Sequence, residues 1–232
     1  MKKYILCVML ALLASSALAI NEDPHHNEVG FFDVRVCNWP ERPRFMMVLF
    51  STERFAEVER VAVYAPSGRH VGDLDMDKYR AFKTREGKDK RAFISHFDVV
   101  EEEGWYRAEI HLADSTRYHA KDYVILAGMR HPRWVEPANG AEDIAMPREV
   151  SWEAIPGAMF YQVYIRDMWD GRLVFSSATL TDNQVSLPDD MLQPGGYYSW
   201  RIHARDSDGN VLLGDFNHGS LSPEASFSVA DQ

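Results

Sequence analysis

Asp206, Asp208 and Asn210 stand at alternate positions in the run Asp206-Ser-Asp-Gly-Asn210, a spacing that offers three side-chain oxygens to a hard cation such as calcium. The glutamate that completes an EF-hand loop at its twelfth position would fall where this chain has Asn217. The same five residues make an ordinary hairpin turn, with Gly209 supplying a positive φ. A turn is therefore expected, with no metal and no other cofactor. Trp169, Asp170 and Arg172 lie in Arg166-Asp-Met-Trp-Asp-Gly-Arg172, at the tip of an expected hairpin. An exposed tryptophan there would stack on a sugar ring or anchor a protein partner. It would otherwise fold back over its own domain or onto a neighbour, and packing is the expected outcome because single apolar residues at a surface are commonplace. Trp134 and Trp39 carry weaker forms of the same reading, and Trp169, Asp170, Arg172 and Trp134 make up the candidate ligand-binding set.

Chemistry beyond binding finds little support. His25-His26 sits on an expected flexible arm and is read as solvated. His111 and His203 fall on outward strand positions, with His119 across a turn from His111, too few to build a three- or four-ligand zinc site. No G-x-S-x-G, H-E-x-x-H or Cys-His pairing places a nucleophile beside a base. Carboxylates are abundant, but none is singled out as half of a glycosidase pair. A catalytic function is not expected.

The elements that would carry these residues are strands. Leu192 to Asp206 reads as a turn delivering a strand, with Tyr198, Trp200, Ile202 and Ala204 on one face and Ser199, Arg201, His203 and Arg205 on the other. A weaker copy begins at Gly104 and matches at Gly, Tyr, Ile, His, Asp and Ser after a gapless shift of 92 residues to Gly196. That is close to the length of one immunoglobulin-type sandwich, roughly 100 residues. A second echo pairs the Pro66-Ser-Gly68 turn with the Gly171 turn, each following an alternating strand. About seven strands precede residue 127, residues 73–90 read as a long loop or hairpin tip, and no segment has sustained helical periodicity. The expected fold is all-β, two tandem β-sandwiches: residues 31–127 and 138–230, joined by a Pro/Trp-containing linker at 128–137 and preceded by a lead-in at 20–30.

The second half resembles bacterial fibronectin type III-like modules over about residues 133–230. Pro137-Ala-Asn-Gly140 is similar to their opening, Val150-Ser-Trp152 to the strand that buries a tryptophan, and Ala158 with Tyr161-Gln-Val-Tyr-Ile165 to their third strand. Leu192-Gln-Pro-Gly195 with Tyr198 is similar to their tyrosine corner, in which the hydroxyl bonds back to the backbone. The resemblance implies an immunoglobulin/fibronectin type III-like β-sandwich and little about activity, since such folds host many roles. The first half reads as a diverged relative of the same class.

Lys2 and Lys3, the apolar run from Ile5 to Leu13 and Ala17-Leu18-Ala19 have the organisation of a signal peptide at residues 1–19, cleaved near Ala19. The run is shorter than the roughly 20 residues that span a bilayer, so no membrane insertion is expected and the mature chain should be periplasmic or secreted. Loss of Lys2 and Lys3 takes the formal charge from −10 to −12, a field that repels nucleic acid. Removal of Cys7 leaves Cys37 alone, so it is either buried or available to link a dimer. The resulting expectation is a non-catalytic binding protein that recognises a protein or polysaccharide through sandwich loops or a sheet face. The competing reading is a structural or chaperone-like envelope component that pairs a sheet edge.

Overall fold

The computed structural model describes residues 23–98, 102–206 and 216–231, and the expected leader with its expected cleavage site, Asp208 and Asn210 lie outside them. Among the described residues every regular element is a strand. Those of the first half are β1 (Phe31–Asn38), β2 (Phe45–Thr52), β3 (Val58–Tyr64), β4 (His70–Asp73), β5 (Tyr79–Lys83), β6 (Asp89–Phe97), β7 (Gly104–Leu112) and β8 (Arg117–Val124). The second half supplies β9 (Trp134–Glu136), β10 (Ala141–Ile144), β11 (Glu149–Trp152), β12 (Phe160–Asp167), β13 (Leu173–Ser176), β14 (Gln184–Ser186), β15 (Tyr197–Arg205), β16 (His218–Leu221) and β17 (Ala225–Val229). The fold is an all-β, immunoglobulin/fibronectin type III-like β-sandwich architecture, as the alternation and turn residues predicted.

Two large, separate cores hold it, with a smaller third at the seam. Phe32, Val34, Val36, Val48, Phe50, Phe93, Tyr106 and Ile110 build the first, between the sheets β1-β2-β6-β5 and β4-β3-β7-β8. Trp152, Val163, Ile165, Trp200, Ile202 and Phe227 build the second. Burying one large aliphatic or aromatic side chain contributes about 1.5–3 kcal/mol, so a handful of them outweighs the 2–4 kcal/mol typical of a disulfide. The family-like details are present. The Tyr198 hydroxyl accepts the Gln193 amide at 2.7 Å, and Trp152 and Trp200 are buried. The first half repeats the corner in a different form, with the Tyr106 hydroxyl donating to the Glu102 carbonyl at 3.2 Å. Gly68 and Gly171 both take positive φ in the two matching hairpin turns.

Four expectations need correction. Residues 73–90 hold the strand β5, which pairs with β6 across a turn at Thr84–Lys88, so the first half has eight strands. Charged side chains obscured that strand because it lies at a sheet edge, where neither face demands apolar residues. The lead-in is docked from residue 23: the Pro24 carbonyl accepts the Lys121 amide, and His25 reaches the buried Asp122 carboxylate at 2.8 Å. His25 is therefore only partly in solvent. His119 pairs in register with Glu109 and His111 with Arg117, so the two histidines do not face each other. His203 is buried, at 8% exposure, although its strand position was read as outward.

The reason for the last correction is how the halves join. β1 of the first half pairs in parallel with β16 of the second, Val36 opposite His218, Cys37 opposite Gly219 and Asn38 opposite Ser220. β16 in turn pairs with β15. One sheet thus runs through both halves, from β10, β17, β15 and β16 to β1, β2, β6 and β5, with β12 and β13 attached through β15. Side chains cross the same seam. Asn38 donates to the Met129 carbonyl, Arg201 pairs with Glu41 at 2.5 Å, and His131 meets the Leu221 carbonyl at 2.9 Å. The linker charges are only partly in solvent, since His131 is turned into the seam and Arg130 pairs with Glu153.

Candidate ligand-binding face

The joined sheet has an outer face that is not part of either core. On β1 that face carries Phe31, Asp33, Arg35 and Cys37; register pairing aligns Phe31 with Ser51, Asp33 with Leu49, Arg35 with Met47 and Cys37 with Phe45. The rows continue from Ser51 to Ala92, Leu49 to Ile94 and Met47 to His96 on β6, and from Ala92 to Arg80 and Lys90 to Phe82 on β5. On the other side of the seam, Gly219 separates Cys37 from Arg205. Period-two alternation places all of these side chains on one surface. A cleft of about 590 Å³ runs over it, lined by Arg35, Trp39, Phe82, Tyr164, Arg205 and Phe216 among others, within the size range of small-ligand sites.

Phe216 is the centre of the cleft wall. The Arg35 guanidinium lies 4.7 Å and that of Arg205 5.3 Å from its ring centroid, and His203 meets it edge-on at 5.3 Å. This stack exists because residue 219 is glycine. A Cβ there would come within 2.6 Å of both His203 Nε2 and the Phe216 ring. Phe216, Phe45 and Cys37 form a small third core, flanked by Trp39 and Met47. Trp39 packs edge-on against Phe45 at 4.9 Å and His96 at 5.9 Å.

Burial controls the electrostatics of this face. Desolvation, reinforced by the Arg205 and Arg35 charges, pulls the His203 pKa down to about 3, so the ring is neutral. Its Nδ1 accepts from Arg205 Nε at 3.2 Å, which leaves the proton on Nε2. Arg205 also donates from Nη2 to Gln162 Oε1 at 2.7 Å and to the Tyr164 hydroxyl at 3.3 Å. Burial lowers its pKa, though a guanidinium stays charged. Asp33 pairs with Arg35. Cys37 has no exposed surface, and burial pushes its thiol up to about 12. A disulfide between two copies through Cys37 would first require this third core to open.

The residues singled out by sequence do not converge. Trp169 is 78% exposed at the β12–β13 turn, and the expectation that it packs is overturned. Local bonds hold the backbone of the tip, Trp169 N to Asp167 Oδ1 at 2.7 Å and Arg172 N to Asp170 Oδ1 at 2.8 Å. Asp170 and Arg172 flank it on the same turn. Trp134 is elsewhere, on β9, half-buried against the second core. Asp206 spends its carboxylate on His218, accepting from the amide at 2.7 Å and meeting Nδ1 at 2.6 Å. Among the described residues no group of three or more histidine, cysteine or acidic side chains could hold a metal ion.

The cleft itself was not foreseen. Its partial signals were legible: Asp33-x-Arg35-x-Cys37 and Arg201-x-His203-x-Arg205 alternate on strands whose other face is core. Nothing in either run indicates that the two strands share a sheet.

No protein-family model and no curated protein matches this sequence. Solved structures resembling the chain include the FN1-FN3 domains of chicken CNTN1, at 12% identity over 85% of this chain and 64% of that one, with a TM-score of 0.29. A two-domain fibronectin type III segment of chicken tenascin matches at 14% identity over 85% and 97%, TM-score 0.29. The Bacteroides ovatus SGBP-B protein, in complex with a mixed-linkage heptasaccharide, matches at 12% identity over 83% and 42%, TM-score 0.25.

Proposed function

We propose that the mature chain is an exported, non-catalytic binding protein that takes its ligand on the outer face of the sheet shared by its two halves. The observation that carries this reading is the cleft at the seam, whose wall of Phe216, Trp39, Arg35 and Arg205 draws on both halves. Its described lining contains no aspartate or glutamate, and Asp33 on the same face is buried against Arg35, so a carboxylate pair of the kind that hydrolyses glycosides is not available from those side chains. Apolar surface with a few placed polar groups suits binding. Export rests on the leader pattern at residues 1–19 and is tested by the N-terminal mass of the mature protein, expected to begin near Ile20.

A second reading keeps the hairpin. Trp169 exposes most of a large apolar ring, with Met168 and Leu173 beside it, each 42% exposed. Edge pairing is less well supported at the seam, because β1 and β16 already pair with each other there.

The discriminating experiment is capture from envelope and culture medium by three immobilised proteins: the native chain, Ala92→Trp, which fills the cleft floor, and Trp169→Ala. A ligand lost by Ala92→Trp and kept by Trp169→Ala, with both variants unfolding as the native chain does, supports the cleft. The reverse pattern overturns it in favour of the hairpin.

A further inference from the structure

Resting on the cleft reading, we infer that the ligand is an acidic saccharide, a short sugar chain bearing carboxylates. The whole chain is acidic, with 35 Asp and Glu against 25 Lys and Arg, yet the described cleft lining contains Arg80, Lys90 and Arg205 besides Arg35, whose charge Asp33 on the same face already meets. Elsewhere in the fold Arg42, Arg60, Arg69 and Arg201 each meet a carboxylate. Among the described residues Arg80, Lys90 and Arg205 do not. A half-buried guanidinium without a carboxylate is costly unless an anion completes it, and arginine is the side chain best shaped to hold a carboxylate in two parallel hydrogen bonds.

Two buried polar atoms of the cleft lining carry the same sign. His203 Nε2 and Trp39 Nε1 are buried without a partner, and each is a donor. Arg205 uses Nε and Nη2, while Nη1 has no acceptor among the described residues. The cleft therefore offers hydrogen-bond donors and positive charge beside the aromatic surfaces of Phe82 and Phe216. A ligand rich in oxygen acceptors, negatively charged and with flat apolar ring faces satisfies all three.

An extended acidic peptide fits less well. The strands flooring the cleft, β15, β16, β1, β2 and β6, are each hydrogen-bonded to a neighbour on both sides. None of these five strands offers a free main-chain edge for a peptide to pair with, the sheet's edge lying at β5 on the cleft rim, so recognition over the cleft floor falls to side chains, as in sugar binding.

Titration calorimetry of the native protein with short oligogalacturonates, matched neutral cello-oligosaccharides and oligoglutamate tests this. The expected result is binding of oligogalacturonate alone, weakened about tenfold in Arg80→Gln/Lys90→Gln, two partly or fully exposed positions whose replacement leaves the core intact, and weakened further by salt. Trp169→Ala should bind as the native protein does. Equal binding of cello-oligosaccharides, preferential binding of oligoglutamate, or no binding of any probe overturns the inference. If the capture experiment yields a ligand sensitive to Ala92→Trp while oligogalacturonate fails, the cleft stands and only the acidic-saccharide assignment falls.

Discussion

Cys37 on β1 and Arg205 on β15 are both register partners of Gly219, one on either side of it. A single residue without a side chain thus lies between β1 and β15, on the second half's side of the seam. It leaves the space in which Phe216 and His203 pack over the seam.

Gly219→Ala should therefore be destabilising out of proportion to its size. Its φ is not in the left-handed region, so the penalty comes from contact: the added Cβ would stand 2.6 Å from His203 Nε2 and from the Phe216 ring. Overpacking of this kind costs about 1–3 kcal/mol. Urea denaturation should show the loss. An unchanged midpoint would mean that the seam is loose enough to yield.

Tyr198→Phe removes the hydroxyl that accepts the Gln193 amide. The expected loss is about 1 kcal/mol or somewhat more, because the amide is left without its partner in a part-buried site. Tyr106→Phe removes a longer bond, to the Glu102 carbonyl, and a smaller loss is expected. Equilibrium unfolding of the two variants side by side checks the order.

Two histidines give the fold a pH dependence of one sign. The hydrogen bond to the buried Asp122 carboxylate raises the His25 pKa from 6.5 to about 9, against the opposing effect of burial. For His218, burial pulls downward but is outweighed by the Asp206 carboxylate and the Ile125 carbonyl, and its pKa is raised. Both His218 ring nitrogens face acceptors, which requires the doubly protonated ring. A raised folded-state pKa contributes stability that is fully present below the unfolded value near 6.5. It is lost as pH climbs through the folded value, for His25 through about 9. Stability should thus fall between about pH 6.5 and 9. The His25 share is about 1 kcal/mol once solvent screening of its half-exposed ring is allowed for. Denaturation of His25→Gln across this range should be flatter than that of the native chain.

Cys37 should resist alkylation in the folded protein. Its thiol is fully buried and its pKa pushed up to about 12, so the reactive thiolate is scarce as well as shielded. Native protein incubated with iodoacetamide should remain unmodified until denaturant is added, and non-reducing electrophoresis should run as monomer. A disulfide-linked dimer formed without unfolding would contradict the burial.

Asp206 already serves His218 with both carboxylate oxygens. Addition of a calcium chelator is expected to leave the melting curve unchanged, whereas Asp206→Ala should lower it by uncoupling His218 from the seam. A chelator-induced drop would reinstate the Asp206-Ser-Asp-Gly-Asn210 run as a metal loop.

The sequence by itself determined the local architecture. Alternation made Trp200, Ile202 and Ala204 inward, Gly68 and Gly171 marked hairpins, and the spacing from Leu192 to Tyr198 encoded the corner, because each is a relation among residues a few positions apart. It likewise leaves Cys37 as the one cysteine beyond residue 7. What only the tertiary structure decided is which faces and edges meet. Alternation tells that His203 and Arg205 leave the second core, but a strand's outer face becomes buried only if another element covers it, and here that depends on β1 pairing with β16 from the far end of the chain. Trp169 is the converse case: it stays exposed because no other described element covers the β12–β13 turn, a matter of long-range packing that local sequence does not carry. The cleft arises from the same long-range pairing, and that is why its aromatic and cationic residues, scattered from Phe31 to Phe216, had no common signature before the sheet brought them onto one face.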